Sequence, residues 1–166
     1  ETFHCARRHG IGSMVSAHPE RPKPDYVDKV WGPDGLGHLL SESDFVVICT
    51  PETPRTRQMI GSKELRTMKR TAYIINIGRG AVVNLTALTA ALKDGVIAGA
   101  GLDVFEIEPL PADHPLWEIE NVIITPHMAS NTDIYQARRI DRFVDNLSRY
   151  FQGKQLESVV DKADWH

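Results

Sequence analysis

The sequence predicts an α/β domain built on a parallel sheet, and three observations carry that reading. Four short, nearly wholly apolar runs recur: Phe45-Val-Val-Ile-Cys49, Ala72-Tyr-Ile-Ile-Asn76, Ile97 to Leu102 and Val122-Ile-Ile124. Unbroken apolar runs of this length suit strands buried on both faces of a parallel sheet. Segments of helical spacing separate most of them, and no hairpin turn joins one run directly to the next, which is the pattern of βαβ units. Finally, Thr50, Arg79, Asp103 and His127 each stand at or just after the end of one of these runs. Parallel sheets bind ligands beyond the carboxyl ends of their strands.

In chain order, Glu1-Thr-Phe-His-Cys-Ala-Arg-Arg reads as the interior of a helix, with Phe3 and Ala6 facing a core and Arg7 and Arg8 facing water. No capping residue precedes it, so the sequence is expected to be a fragment whose beginning is missing. His9-Gly10-Ile11-Gly12 reads as the C-terminus of that helix, with Gly10 as its left-handed cap. A short strand is expected over Ser13–Ala17 and a Pro-rich loop over His18–Pro24. The Gly10-x-Gly12 pair follows a helix and precedes a strand, the reverse of a phosphate-binding turn.

Leu36 to Leu40 suggests a short helix, Thr50-Pro-Glu-Thr-Pro54 a loop, and Ser62 to Met68 a second helix. Leu85, Leu88, Ala91 and Leu92 form one face of a third helix running from about Asn84. Ile140, Phe143, Val144, Leu147 and Phe151 mark a long amphipathic helix from about Thr132.

With 166 residues, 42% hydrophobic and 25% charged, the composition is that of a globular domain. Nineteen basic against 22 acidic side chains leave a net charge of -3, which suggests no nucleic-acid partner. No apolar run approaches the roughly 20 residues that cross a bilayer, so no membrane partner is expected. Cys5 and Cys49 lack metal-ligand spacing; they read as buried free thiols in a cytoplasmic protein, and no metal is expected.

The chemistry-bearing groups lie near the ends of the later strands. His127, after Thr125-Pro126, suits a general acid–base, since a histidine both gives and accepts a proton near neutral pH. A carboxylate would hold its other ring N–H, and Glu106 and Glu108 both qualify by spacing. Arg79, between two glycines, offers a planar fork matched to a carboxylate. Asp103 ends an apolar strand, where a buried carboxylate needs partners such as a cofactor amide or ribose.

Asn76-x-x-Arg79-Gly80, Gly99-Ala-Gly-Leu-Asp103-Val-Phe-Glu-x-Glu108-Pro-Leu-Pro and Asn121-Val-x-x-Thr-Pro-His127 together resemble the D-isomer-specific 2-hydroxyacid dehydrogenases, the glyoxylate/hydroxypyruvate reductases among them. Thr50-Pro-Glu-Thr-Pro54-x-Thr56 and Met68-Lys69 resemble that family too. The resemblance implies a Rossmann-like, doubly wound parallel sheet that binds NAD or NADP, and a small 2-oxo or 2-hydroxy acid as substrate. Arg79 then holds the substrate, His127 is the acid–base and Glu108, in the Glu-Pro step, is its partner; Glu106 is not. Thr50, Pro51, Ile77, Gly78, Arg79, Asp103, His127 and Ser130 are the expected cofactor contacts. Residues 1–131 would be a partial nucleotide-binding domain and 132–166 a C-terminal long helix and tail. The whole protein is expected to be a cytoplasmic homodimer.

Two departures accompany the resemblance. The family's first strand and Gly-x-Gly-x-x-Gly turn are absent, so the piece is expected to lack a central strand, to be unstable and to be inactive alone. The residue after the Ser13–Ala17 strand is His18, with Arg21 and Lys23 behind it, where an NAD enzyme carries an acid. Such a loop tolerates a 2′-phosphate, and His18 and Arg21 join the expected contacts with a slight preference for NADP. The competing reading is a non-catalytic, dinucleotide-sensing protein of the same fold. Formate dehydrogenase resembles the pattern but carries glutamine where Glu108 stands.

Overall fold

The structure, a computed structural model, describes residues 27–160 in full and residues 2–7 and 10–15 as backbone. It divides into two compact units, Glu1–His127 and Met128–His166. The first holds a seven-stranded sheet of order β3-β2-β1-β4-β5-β6-β7, made of β1 (Thr2–Arg7), β2 (Gly10–Val15), β3 (Val30–Trp31), β4 (Phe45–Ile48), β5 (Tyr73–Asn76), β6 (Gly99–Leu102) and β7 (Val122–Ile124). β4 through β7 run parallel, as do β2 and β3. The parallel α/β reading is borne out, and the four apolar runs are its four successive strands.

β1 departs from expectation. Thr2–Arg7 is a strand, antiparallel to β2 on one side and to β4 on the other, and Gly10 opens β2 instead of capping a helix. The reason is the ladder. β4 carries the fully buried Val46 and Ile48, so an unpaired edge there would bury orphan N–H and C=O groups. An uncapped eight-residue segment is too short to hold a helix by itself and supplies the missing bonds instead. The slot expected to be empty is therefore filled. The expected strand over Ser13–Ala17 begins earlier, at Gly10, and Ser16, Ala17, His18 and Arg21 lie outside the described residues.

Among the described residues three α-helices flank the sheet: α1 (Leu36–Glu42), α2 (Ser62–Thr67) and α3 (Leu85–Lys93). Their Leu39, Leu40, Leu65, Leu88 and Leu92 pack with Val46, Ile48, Ile74, Ala100 and Leu102 in one core. Each fully buried aliphatic side chain contributes about 1.5–3 kcal/mol. Alternate residues point the other way, so Phe45 and Tyr73 stack at 5.7 Å between ring centroids and stay partly exposed. α3 starts where Asn84 predicted: its Oδ1 accepts the Ala87 N–H at 2.8 Å.

The second unit is α4 (Tyr135–Phe151) with the segment after it. Ile140, Phe143, Val144 and Leu147 form the expected stripe and are exposed. Residues past Gly153 fold back along the helix: Asn146 accepts the Glu157 N–H at 2.8 Å and donates to its carbonyl at 3.0 Å, while Arg142 and Arg149 pair with the Glu157 carboxylate. No helix of the described residues is long and apolar enough to cross a membrane.

Candidate active site

Register sets the site. Ile48, Asn76, Leu102 and Ile124 lie abreast across β4 to β7, so the four segments that follow them leave from one edge. Thr50, Gly78, Asp103 and His127 are carried there together because each follows its strand by one to three residues.

Thr50 is buried, and its Oγ1 has no hydrogen-bond partner among the described residues. The loop beyond it is held by its own threonines: Thr56 Oγ1 donates to the Pro51 carbonyl at 2.7 Å and accepts the Thr53 N–H at 2.8 Å. Pro51 itself is exposed. Next along the edge, the buried Asn76 folds the Arg79 loop, accepting the Gly78 N–H at 3.1 Å and donating to the Arg79 carbonyl at 3.0 Å. Asn76 quotes the family motif but was not singled out as a site residue; a short amide closing an apolar run is the signal for such a turn. Ile77 N–H is engaged by the Ile48 carbonyl and Gly78 N–H by Asn76, so neither backbone N–H is a free donor at this edge.

Gly78 lies so close to Thr50 that a Cβ would stand 2.6 Å from its carbonyl oxygen, and a Cβ on Gly80 would stand 1.9 Å from the Phe105 carbonyl carbon. The glycines flanking Arg79 thus seat its loop between the β4 and β6 loops. Arg79 is exposed, with Nη1 donating to the Gly78 carbonyl at 2.7 Å.

Asp103 is 4% exposed and accepts the Thr125 hydroxyl at 2.5 Å. The expectation that a carboxylate there needs partners holds, and Thr125 is one that sequence reasoning missed. Glu108 and His127 meet: His127 Nδ1 is 2.7 Å from Glu108 Oε2, and Glu108 Oε1 accepts the Phe105 N–H at 2.9 Å. With Nδ1–H donated to the carboxylate, Nε2 is the ring atom left for proton transfer, a tautomer assigned from the hydrogen-bond network. His127 takes a left-handed φ of 53°, a conformation histidine visits more readily than most residues, and its N–H donates to the Thr125 carbonyl at 3.1 Å.

Partial burial pushes the Glu108 carboxyl up. The His127 hydrogen bond, the Phe105 N–H and the nearby charges of His127 and Arg79 outweigh it and hold the carboxyl below its usual value. Glu108 therefore stays anionic at neutral pH. Beside the pair opens a cavity of about 530 Å³ walled by Phe105, Leu110, Trp117 and Ile124, with Asp103 also on its lining.

Ser130 belongs to the second unit and lies in an exposed turn. Cys49, expected buried, is exposed at the end of β4. Among the described residues no three metal-ligating side chains gather. Thr50's orphaned hydroxyl and the buried Asp103 fit a polar, hydroxyl- and amide-bearing cofactor such as a nicotinamide dinucleotide.

Known proteins resemble this chain over most of its length. A family model described as "D-isomer specific 2-hydroxyacid dehydrogenase, NAD binding domain" matches residues 4–129. A glyoxylate reductase of Korarchaeum cryptofilum is 47% identical over 158 residues, 94% of this chain and 47% of that protein. The NADPH-dependent glyoxylate/hydroxypyruvate reductase of Sinorhizobium meliloti, solved with NADP and sulfate, superposes with a TM-score of 0.82 at 30% identity, covering 92% of this chain and 49% of that one. The NAD-complexed D-isomer specific 2-hydroxyacid dehydrogenase of Lactobacillus delbrueckii ssp. bulgaricus gives 0.74 at 32% identity, covering 89% and 48%. The chain spans about half the length of the curated relatives it matches. The match over residues 4–129 covers all but the first two residues of the sheet and every group gathered at its carboxyl edge, and the chain belongs to the D-isomer specific 2-hydroxyacid dehydrogenase family as its NAD binding domain.

Proposed function

We propose that the protein is an oxidoreductase moving a hydride between NAD(P)H and the C2 carbonyl of a small 2-oxo acid. The observation that carries this is the Glu108–His127 pair, 2.7 Å apart, beside a cavity that Asp103 also lines. Thr50, Pro51, Ile77, Gly78 and Asp103 would hold the cofactor, whose reduced nicotinamide supplies the hydride. The Arg79 guanidinium binds the substrate carboxylate as a fork and fixes the face that C2 presents. His127 donates its Nε2 proton to the C2 oxygen as charge builds there, and recovers it in the reverse direction. Glu108 holds the imidazole by Nδ1 and stabilises its cationic form. Phe105, Leu110, Trp117 and Ile124 shield that exchange from water.

Finer points follow from the same reading. His18, standing where an NAD enzyme carries its ribose-binding acid, with Arg21 and Lys23 behind it, favours NADP. The whole protein works as a cytoplasmic homodimer, supported by the family resemblance and by a sequence with only two cysteines. The test is reduction of glyoxylate by the full-length protein with NADPH or NADH, followed by loss of nicotinamide absorbance. No turnover with any small 2-oxo acid, alongside tight dinucleotide binding, would replace the enzyme with a dinucleotide sensor.

A further inference from the structure

Glu106 has no part in the acid–base pair, yet its carboxylate joins three of the four segments that follow β4 to β7. Oε1 accepts the Gln58 side-chain amide at 3.1 Å, and Oε2 accepts the Leu85 N–H, the first of α3, at 3.0 Å. Gln58 is tied in further: Asn84 Nδ2 donates to its Oε1 at 3.3 Å, and its own N–H donates to the Ala81 carbonyl at 2.6 Å. It holds this place in a left-handed conformation, φ 51°, which costs energy and persists only where neighbours enforce it. The Phe105–Glu106 peptide meanwhile packs against Gly80, the residue after Arg79.

We propose that Glu106 is a positioning residue: its carboxylate locks the Arg79 loop and the Gln58 loop to the segment carrying Glu108. It thereby sets the offset between the substrate-holding arginine and the proton donor. The inference rests on the roles proposed above for Arg79 and His127, but the clasp itself can be tested without them.

The bonds also predict a rescue. In the double variant Q58E/E106Q, the residue 106 amide donates to the residue 58 carboxylate, its carbonyl still accepts the Leu85 N–H, and Asn84 still finds an acceptor. All three bonds survive with donor and acceptor exchanged. In the full-length protein, Glu106→Ala should lower kcat/KM for a 2-oxo acid by roughly 10- to 100-fold, the scale of a misplaced reacting group. The pH–rate profile should stay where it is, and Q58E/E106Q should recover most of the loss. Hydrogen exchange at the amides of Leu85 and of residues 79–83 should quicken in Glu106→Ala and slow again in the double variant.

A folded Glu106→Ala with unchanged kinetics and exchange overturns the proposal, as does a displaced pH profile, which would put Glu106 in the pair. If the wild-type protein turns over no 2-oxo acid, the functional reading fails and the exchange measurements alone decide the clasp.

Discussion

Both oxygens of Glu108 are held, Oε2 by His127 Nδ1 at 2.7 Å and Oε1 by the Phe105 N–H at 2.9 Å. The second bond is to backbone, so the carboxylate is aimed by the loop and not by the histidine it serves. Glutamine keeps the shape but loses the charge and offers a single acceptor oxygen, so it cannot accept both bonds at once. Glu108→Gln in the full-length protein should therefore keep substrate KM within a few-fold while kcat falls about 10²-fold; His127→Gln should cost roughly 10²–10⁴-fold. Steady-state kinetics with glyoxylate check both, and an undiminished kcat in either variant removes that residue from the chemistry.

The same bonds make stability depend on acid. Glu108 titrates below its ordinary value of 4.5 in the folded chain, so the unfolded chain binds the proton more readily. Its contribution is complete above about 4.5 and drains away as pH falls through the lower, folded value. Its side chain is 35% exposed, so the effect is screened and small. Urea midpoints measured from pH 6 downward should fall less steeply for Glu108→Gln than for wild type; parallel curves would mean the carboxylate is not held in solution.

How much of this was legible in sequence differs by kind of residue. The four parallel strands could be read because short apolar runs, three to six residues here, recur between helical segments. Glu108 and His127 could be read as partners only through the family motif, since spacing left Glu106 equally eligible. The structural roles of Asn76, Thr125, Gln58 and Glu106 were not legible, because each acts through hydrogen bonds to partners 2 to 48 residues away that leave no periodic trace. The strand over Thr2–Arg7 was misread because its local pattern fits a helix, whereas the open ladder of β4, forty residues on, decides the outcome.

Gly80 makes a prediction about space alone. A methyl group there would sit 1.9 Å from the Phe105 carbonyl carbon and 2.5 Å from the Glu106 nitrogen, both backbone and both unable to swing aside. The loop carrying Arg79 must lift. Gly80→Ala should destabilise the chain by about 1–3 kcal/mol, the usual cost of overpacking, seen as a lower urea midpoint. A neutral substitution would show that the two loops are not in contact.

Coenzyme choice turns on residues outside the described structure, so only function can read it. If the Arg21 guanidinium meets a 2′-phosphate, removing it costs a charge-assisted bond of about 1.5–3 kcal/mol, or roughly tenfold or more in affinity. Arg21→Ala in the full-length protein should weaken NADPH by that factor and leave NADH unchanged. Equal losses for both coenzymes, or none, end the case for NADP.

The antiparallel strand β1 yields the sharpest distinction between sequence pattern and sheet demand. Cys5 lies at its centre, opposite Gly12 of β2 and Val46 of β4. A central strand tolerates no residue without an N–H, so Cys5→Pro should cost about 3 kcal/mol or more, the scale of proline inside a regular element. Cys5→Ala favours a helix but keeps the N–H, and should be nearly neutral if the ladder rules. Hydrogen exchange at Phe3 to Ala6 in the 166-residue chain, together with its urea transition, separates the cases. Slow exchange and one cooperative transition, both lost in Cys5→Pro, are the outcome expected of a strand that closes the sheet. Rapid exchange at these amides in the unsubstituted chain would return the segment to the helix its own residues suggest.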